Sequence, residues 1–274
     1  MSQTKKSYEL TDTQGQDDNR LIAINKVGIR DFKLPMVVDE RKSGTQDVTA
    51  TVDIGVDLIK EQRGAHMSRF IELIEQYRQE SFNVHSIPDL LEDTCERLGS
   101  NNAYVTLDFD YFMEKSSPLS DKTGILDFKC GFGGARRDGE TVNWIKAEVP
   151  VTTLCPCSKK NSDRGAHNQR ALVKSKIVIN DMVWLEELIE MIEEEGSSQL
   201  YALLKREDEA YVTDEAYDNP KFVEDVVRDL SHKVQDDDRM EDFFIECISF
   251  ESIHNHDAYA RVYQGSIWQE NFFG

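Results

Sequence analysis

The chain has 274 residues, of which 39% are hydrophobic and 31% charged, so it is long enough for one large domain or two smaller ones with a buried core. Its 52 acidic and 32 basic residues give a formal net charge of −20, which repels nucleic acid and anionic membranes at long range. We therefore expect neither of these as a partner. The five cysteines are odd in number and scattered, unlike those of a disulfide framework.

Polar residues fill the N-terminal segment, and we expect residues 1–20 to form a disordered tail. The segment lacks the apolar core of a signal peptide, and no run along the chain approaches the roughly 18–20 apolar residues that span a bilayer. These features predict a cytoplasmic protein.

Hydrophobic periodicity predicts two strands, two helices and a further strand in the first half of the chain. These elements are strands near 21–34 and 46–57, helices that begin at His66 and Ser86, and a half-buried strand over 105–113. The glycine-rich stretch 131–139 is not followed by the Lys-Ser/Thr pair of a phosphate loop, so we interpret it as a hairpin turn.

The second half repeats this order of elements. We predict strands near 141–153 and 168–180, a helix capped by Asp181 that ends at Gly196, and strands near 242–254 and 257–266. Asn219 and Pro220 open a further helix before the last two strands, with a buried apolar stripe of Val223, Val226, Val227, Leu230 and Val234. We interpret both halves as β-β-α-α-β-β, counting in the first half the strand that the hairpin turn implies, although they share no obvious sequence identity. The predicted fold class is α+β.

The segment 150–170 carries the residues with the most specific chemistry. Its sequence, PVTTLCPCSKKNSDRGAHNQR, places Cys155, Cys157 and His167 among turn-forming and polar residues, outside any periodic element. Thiolate and imidazole are preferred ligands of zinc and similar borderline-soft cations. A buried thiol beside a surface histidine is the plainer alternative, but Pro156 and Gly165 argue against a packed core here. The segment predicts a metal site or a nucleophile.

Several motifs resemble a known family. LCPCSK at 154–159, followed by GAHNQR at 165–170, is similar to the signature of type IB GTP cyclohydrolase I, the metal-dependent bacterial and archaeal form in the tunnelling-fold superfamily. Further matching segments follow the family's order, namely RGAHMSRF at 63–70, LLKREDE at 203–209, YDNPKFVED at 217–225 and FESIHNHDAY at 250–259. The matches extend from residue 63 to residue 259.

The resemblance implies a tunnelling fold, with two tandem modules that each have an antiparallel sheet and helices on one face. We place the modules at 21–140 and 141–274, with most of the metal site in the second. The implied enzyme is a GTP cyclohydrolase. Its metal-activated water attacks C8 of GTP, and ring opening releases formate and gives 7,8-dihydroneopterin triphosphate, the first step of folate or pterin biosynthesis. The family also implies a homotetramer with active sites between subunits.

A divalent metal can lower the pKa of bound water from about 15.7 towards about 7, which makes a nucleophile at neutral pH. Cys155 and His167 are the natural first two ligands, and the resemblance adds Glu209, which by sequence alone is one acid among many. The resemblance makes His254 a fourth ligand or the acid that protonates N7. This mixed sulfur, nitrogen and oxygen set suits Zn²⁺ or Mn²⁺, with Fe²⁺ also possible.

Four other residues have interpretations that the sequence leaves open. The resemblance makes Glu224 the carboxylate that accepts hydrogen bonds from N1-H and the amino group of guanine, whereas by itself it suits a helix dipole. Cys157 is a second thiolate or a structural thiol. His256 is a candidate to contact the metal ligands without binding the metal itself. His66 either approaches the triphosphate or ribose of the substrate or is purely structural.

Two other functions remain as alternatives. A tunnelling-fold nitrile reductase would use a cysteine thioimide and NADPH, but the pair His254 and His256 and the spacing of Cys155 from His167 argue against it. A non-catalytic, zinc-stabilised binding module would need four closed protein ligands. A triphosphate substrate would also need basic residues near the metal motif, for which we propose Lys159, Lys160, Arg164, Arg170, Arg63 and Arg69.

Overall fold

A nine-stranded sheet is the central feature of the computed structural model, which describes residues 12–42 and 44–265. Its strands are, in chain order, β1 (Ile24–Glu40), β2 (Gly44–Leu58), β3 (Ser81–Phe82), β4 (Ala103–Ser116), β5 (Thr123–Arg137), β6 (Glu140–Leu154), β7 (Asn168–Ile179), β8 (Met240–Ser249) and β9 (Ala258–Gln264). Their order across the sheet is β3-β1-β2-β4-β5-β6-β7-β8-β9. All neighbours pair antiparallel except β1 and β3.

The helices cover one face of this sheet, as the α+β prediction requires. They are α1 (Met67–Tyr77), α2 (Ser86–Leu98), α3 (Pro156–Asn161), α4 (Leu185–Glu193), α5 (Arg206–Asp218) and α6 (Val223–Asp236). α2 packs on β4 and β5, α4 on β6, and α6 on β8 and β9. Within the described residues, none of these helices has both the length and the apolar content needed to cross a bilayer.

Apolar periodicity correctly predicted α2 and the buried stripe of α6, but the predicted start of α6 at Asn219 and Pro220 is wrong, because α6 begins at Val223 and Asn219 ends α5. α6 buries the predicted stripe of valines and leucine against the sheet, namely Val223, Val226, Val227, Leu230 and Val234. Gly99 ends α2 with φ of 70°, and its N–H donates to the carbonyl of Cys95 at 2.9 Å, which is the left-handed cap that favours glycine.

The glycine-rich stretch is mostly strand, so the predicted turn over 131–139 is wrong in extent. β5 continues to Arg137, and the turn consists of Asp138 and Gly139, with φ values of 49° and 94°. A Cβ on Gly133 would lie 2.4 Å from the ring of Trp144, so this glycine is required by packing across the strand pair. Glycine therefore signals close approach here, where we inferred a turn.

α5 was not predicted because it has no apolar stripe, and its buried residues are Asp208 and Ala216. The Asp208 carboxylate accepts hydrogen bonds from the N–H groups of Leu119 and Ser120, both at 2.9 Å, and from the N–H of Lys205 at 2.7 Å. Polar contacts thus position this helix, and hydrophobic periodicity does not detect them. α4 also begins at Leu185, four residues after the predicted cap Asp181.

The chain is continuous across the boundary that we predicted between the two modules. β5 and β6 pair on either side of residue 140, within one sheet. Of the predicted tail, residues 1–11 lie outside the described residues, whereas residues 12–20 run beside 59–63. There Asp17 pairs with Gln62, and the N–H of Asp18 donates to the carbonyl of Glu61 at 2.8 Å. The division into modules remains a prediction.

Candidate active site

The register of β6 and β7 brings the cysteine and histidine of the metal motif together. Thr153 is opposite Gln169, and the N–H of Cys155 donates to the carbonyl of His167 at 3.1 Å just beyond the paired strands. Since side chains alternate along a strand, Thr153 and Cys155 lie on one face with their partners Gln169 and His167. The short α3 lies within the connection between the strands.

Cys155 is the half-buried N-cap of α3. Its sulfur accepts a hydrogen bond from the N–H of Ser158 at 3.4 Å, while the Ser158 hydroxyl accepts from the N–H of His167 at 3.2 Å. Ser158 thus connects both predicted ligands. Cys157 is exposed and does not line the cavity described next, which favours its interpretation as a thiol outside the ligand set.

A cavity of about 350 Å³ opens beside these residues. It gathers side chains from the ends of β6 and β7, the start of α6 and the loop after β8, namely Thr153, Cys155, His167, Gln169, Lys221, Phe222, Val223, Glu224, Ser249, Glu251, His254, His256, Ala258 and Tyr259. Four of the five predicted site residues are in this set. The fifth, Glu209, is exposed on the first turn of α5 and does not line the cavity.

His254 and His256 reach the cavity from a loop, although we predicted a strand through residue 254. β8 ends at Ser249. The N–H of the next residue, Phe250, still donates to the carbonyl of Arg170 in β7 at 3.0 Å. The chain then leaves the sheet through a polar, exposed segment. The two imidazoles stack with their centroids 5.2 Å apart and their planes 20° from parallel.

Glu224 enters the cavity from the first turn of α6. The Asp225 carboxylate caps this helix by accepting from the N–H of Phe222 at 2.9 Å, and the N–H of Lys221 donates to the carbonyl of Leu154 at 3.1 Å. The second contact joins the start of α6 directly to the strand end that carries Cys155. The exposed Glu224 carboxylate is therefore held near the motif by backbone hydrogen bonds.

Comparisons with known proteins show the family of this chain. A family model described as Type I GTP cyclohydrolase folE2 matches residues 10–260. The chain belongs to this family. A relative from Magnetococcus marinus named GTP cyclohydrolase FolE2 is 42% identical over 93% of this chain and 96% of its own length. A relative of the same name from Halorhodospira halophila is 43% identical over 93% of this chain and 98% of its own length. A third, from Nitrosococcus oceani, is 44% identical over 92% of this chain and 94% of its own length.

Solved structures support the predicted fold of this cyclohydrolase. Uricase from Arthrobacter globiformis superposes with a TM-score of 0.53 at 9% identity, covering 90% of this chain and 98% of its own. A hyper-thermostable uricase mutant gives 0.54 at 10% identity. At such identities the likeness concerns the fold alone, and it confirms the tunnelling fold. The family match confirms an enzyme and supports neither the nitrile reductase nor the non-catalytic binding module.

The donor types in the cavity of this cyclohydrolase suit a borderline cation. The Cys155 sulfur makes one long hydrogen bond, and His167 binds Gln169 through Nδ1, which leaves Nε2 for another partner. A thiolate and imidazoles are the donors that Zn²⁺ prefers. Among the described residues, however, no three cysteine, histidine or acidic side chains lie close enough to form a ready-made site. The chemistry fits a metal, and the ligand set remains a prediction.

Lys221 is a cavity residue that sequence reasoning missed. Although burial opposes it, hydrogen bonds to Glu195 at 2.8 Å and Asp229 at 3.0 Å raise the pKa of Lys221, so its ammonium stays charged. The basic residues that we proposed for the triphosphate do not line the cavity. One of them, Lys159, donates instead to the backbone carbonyl of Tyr217 and lies 4.4 Å from that ring's centroid. Proximity to the motif in sequence therefore did not predict which basic side chains line the cavity.

Proposed function

We propose that this GTP cyclohydrolase opens the purine ring of GTP in the cavity that contains Cys155, His167, Glu224 and His254. The observation that carries this proposal is their convergence from three separate parts of the chain on one cavity of about 350 Å³. The products are formate and 7,8-dihydroneopterin triphosphate, which begins folate or pterin biosynthesis. We also propose a cytoplasmic location, since GTP is a cytoplasmic nucleotide.

Glu224 is suited to recognising guanine. Its carboxylate lies on the exposed first turn of α6, where two oxygens can accept from the N1-H and the amino group of one base. Charge-assisted hydrogen bonds are roughly twice as strong as neutral ones, so this pair contributes both affinity and selectivity. Adenine lacks the adjacent donors and would leave the carboxylate unpaired.

Cys155 and His167 would hold Zn²⁺ or Mn²⁺, or alternatively Fe²⁺, with His254 and Glu209 as the remaining candidate ligands. When bound, the metal would supply a Lewis acid that makes water nucleophilic near neutral pH. His254 lies on an exposed loop at the cavity, where an imidazole that is not a ligand can give its proton to N7. Glu224, held by the start of α6, keeps the purine oriented during this transfer.

The charge of the cavity supports active sites shared between subunits. Among its described lining residues, Lys221 alone carries a permanent positive charge, and Glu195 and Asp229 already neutralise that charge. A triphosphate needs further cations, and a neighbouring subunit is a suitable source. We therefore propose active sites at subunit interfaces, and the family resemblance implies that the assembly is a homotetramer.

The test is turnover by purified protein that has been stripped with a chelator and reloaded with Zn²⁺ or Mn²⁺. We expect GTP to give formate and, after oxidation, a fluorescent pterin in equal amounts, and ATP to give neither. The chelated protein is the control and should regain activity on reloading. Absence of both products with each metal would refute the proposal.

A further inference from the structure

The amide of Gln169 lies between the side chains of Thr153 and His167, which the neighbouring strands β6 and β7 bring to the same face. Its Nε2 donates to the hydroxyl of Thr153 at 3.2 Å, and its Oε1 lies 3.0 Å from Nδ1 of His167. Thr153 is 2% exposed and lies directly opposite Gln169 in the β6–β7 ladder. The amide thus bridges a buried hydroxyl on the neighbouring strand and the imidazole of His167.

This orientation of the amide implies which nitrogen of His167 carries the proton. A neutral imidazole has one N–H donor and one acceptor nitrogen, whereas an amide oxygen is an acceptor only. With Oε1 facing Nδ1, the hydrogen bond requires the proton on Nδ1. Nε2 then has the free lone pair that a metal ligand needs.

We propose that Gln169 is a positioning residue that holds His167 in the Nδ1–H tautomer, with Nε2 presented for metal binding. The inference deepens the proposed function, on which it rests for the presence of a metal. Two longer contacts lie beside this hydrogen bond. The Ser158 hydroxyl accepts from the N–H of His167 at 3.2 Å, and the Ser252 hydroxyl donates to Oε1 of Gln169 at 3.4 Å. Ser252 belongs to the loop that carries His254, so Gln169 also connects the two histidines.

Nuclear magnetic resonance of the metal-free, full-length protein tests the tautomer directly. Long-range ¹H–¹⁵N spectra at mildly alkaline pH distinguish Nδ1–H from Nε2–H in a neutral imidazole, and His167→Gln identifies the signal among the six histidines. We expect Nδ1–H in the wild-type chain. In Gln169→Met, which has a similar length but no amide acceptor, we expect a shift towards Nε2–H. Gln169→Glu retains an acceptor and should keep Nδ1–H.

Zinc binding, measured by competition with a chromophoric chelator, provides the second readout. Loss of such a supporting group typically weakens metal binding by about 10–100-fold, which we expect for Gln169→Met, with Gln169→Glu retaining most of the wild-type affinity. Ser252→Ala is the matched control, since its bond to Gln169 is long, and it should leave both readouts unchanged.

An Nε2–H signal in the wild-type protein would overturn the inference, as would Nδ1–H and unchanged zinc affinity in Gln169→Met. If Gln169→Met fails to fold, the wild-type tautomer and the Gln169→Glu variant still decide the question. The tautomer is read without metal or GTP. An inactive chain with the Nδ1–H signal would therefore refute the proposed function alone, and an active chain with Nε2–H would refute only the role of Gln169.

Discussion

Replacing Glu195 tests the network that holds α6, and with it Glu224, beside the cavity. Glu195 is buried just after α4, and its two oxygens bind different lysines of the following segment. Oε2 is 2.8 Å from Nζ of Lys221, and Oε1 is 2.7 Å from Nζ of Lys233. Glu195→Gln would keep the size of the side chain, remove its charge and replace one acceptor with a donor that faces an ammonium group.

The other partners of the two lysines determine the size of the effect. Breaking a buried ion pair typically costs about 3–5 kcal/mol when it leaves one charge without a partner. Here Lys221 keeps Asp229 at 3.0 Å, and Lys233 keeps Glu194 at 2.6 Å. We therefore expect Glu195→Gln to lower the free energy of unfolding by about 1.5–3 kcal/mol, the usual value for one hydrogen bond to a charged group.

Glu194→Gln is the matched control because Glu194 binds the same Lys233 but its side chain is 61% exposed, against 6% for Glu195. Exposed pairs contribute about 0–1 kcal/mol. The assay is equilibrium urea unfolding at one protein concentration, followed by tryptophan fluorescence. With a slope of about 2–3 kcal/mol per molar urea, Glu195→Gln should lower the midpoint by roughly 0.5–1.5 M. Equal effects of the two variants would show that burial does not determine the strength of this network.

Three further predictions concern the cavity and the dependence of stability on pH. Cys155→Ala should abolish turnover and remove most of the bound metal after dialysis with the fold intact, whereas Cys157→Ala should be milder because Cys157 is exposed; full metal occupancy in Cys155→Ala would exclude it as a ligand. Glu224→Gln should lower kcat/KM for GTP by roughly ten- to 150-fold, the equivalent of about 1.5–3 kcal/mol for one charged hydrogen bond, with metal content unchanged; wild-type kinetics would show that it does not bind guanine. Hydrogen bonds from Arg239 hold the pKa of Asp237 below its ordinary value of 3.8. The ionised Asp237 carboxylate therefore stabilises the folded state fully well above pH 4, and this contribution is lost as the pH falls below 4. Urea unfolding should therefore show Asp237→Asn to be less stable than wild type at pH 7, with the difference shrinking in acid; a difference that is constant with pH would contradict this sign.

Local patterns in the sequence were sufficient for the elements that bury an apolar face. The stripe from Val223 to Val234 predicted α6, and alternation over 105–113 predicted β4. In each case the apolar periodicity can be read from the residues of the element alone. The pattern of element types likewise predicted the α+β class. Family resemblance, and not periodicity, supplied the tunnelling fold and the roles of Glu209, Glu224 and His254.

Elements held by distant polar contacts were beyond this reasoning. α5 depends on the bonds that Asp208 makes with residues 119 and 120, nearly ninety positions earlier in the chain. Gly133 is small because Trp144 crosses it on the neighbouring strand, and not because the chain turns there. Neither reason can be read from the residues adjacent to the element.

The sequence by itself determined which donors the site has available, because thiolate, imidazole and carboxylate chemistry belongs to the residue types. Only the tertiary structure decided which of them meet. The pairing of Thr153 with Gln169 places Cys155 beside His167, and the bond from Lys221 to Leu154 brings α6 and Glu224 to the same strand end. Glu209 has the same chemistry but lies on α5, away from the cavity lining. Strand register and helix placement are long-range properties, since each is determined by hydrogen bonds between segments far apart in the chain.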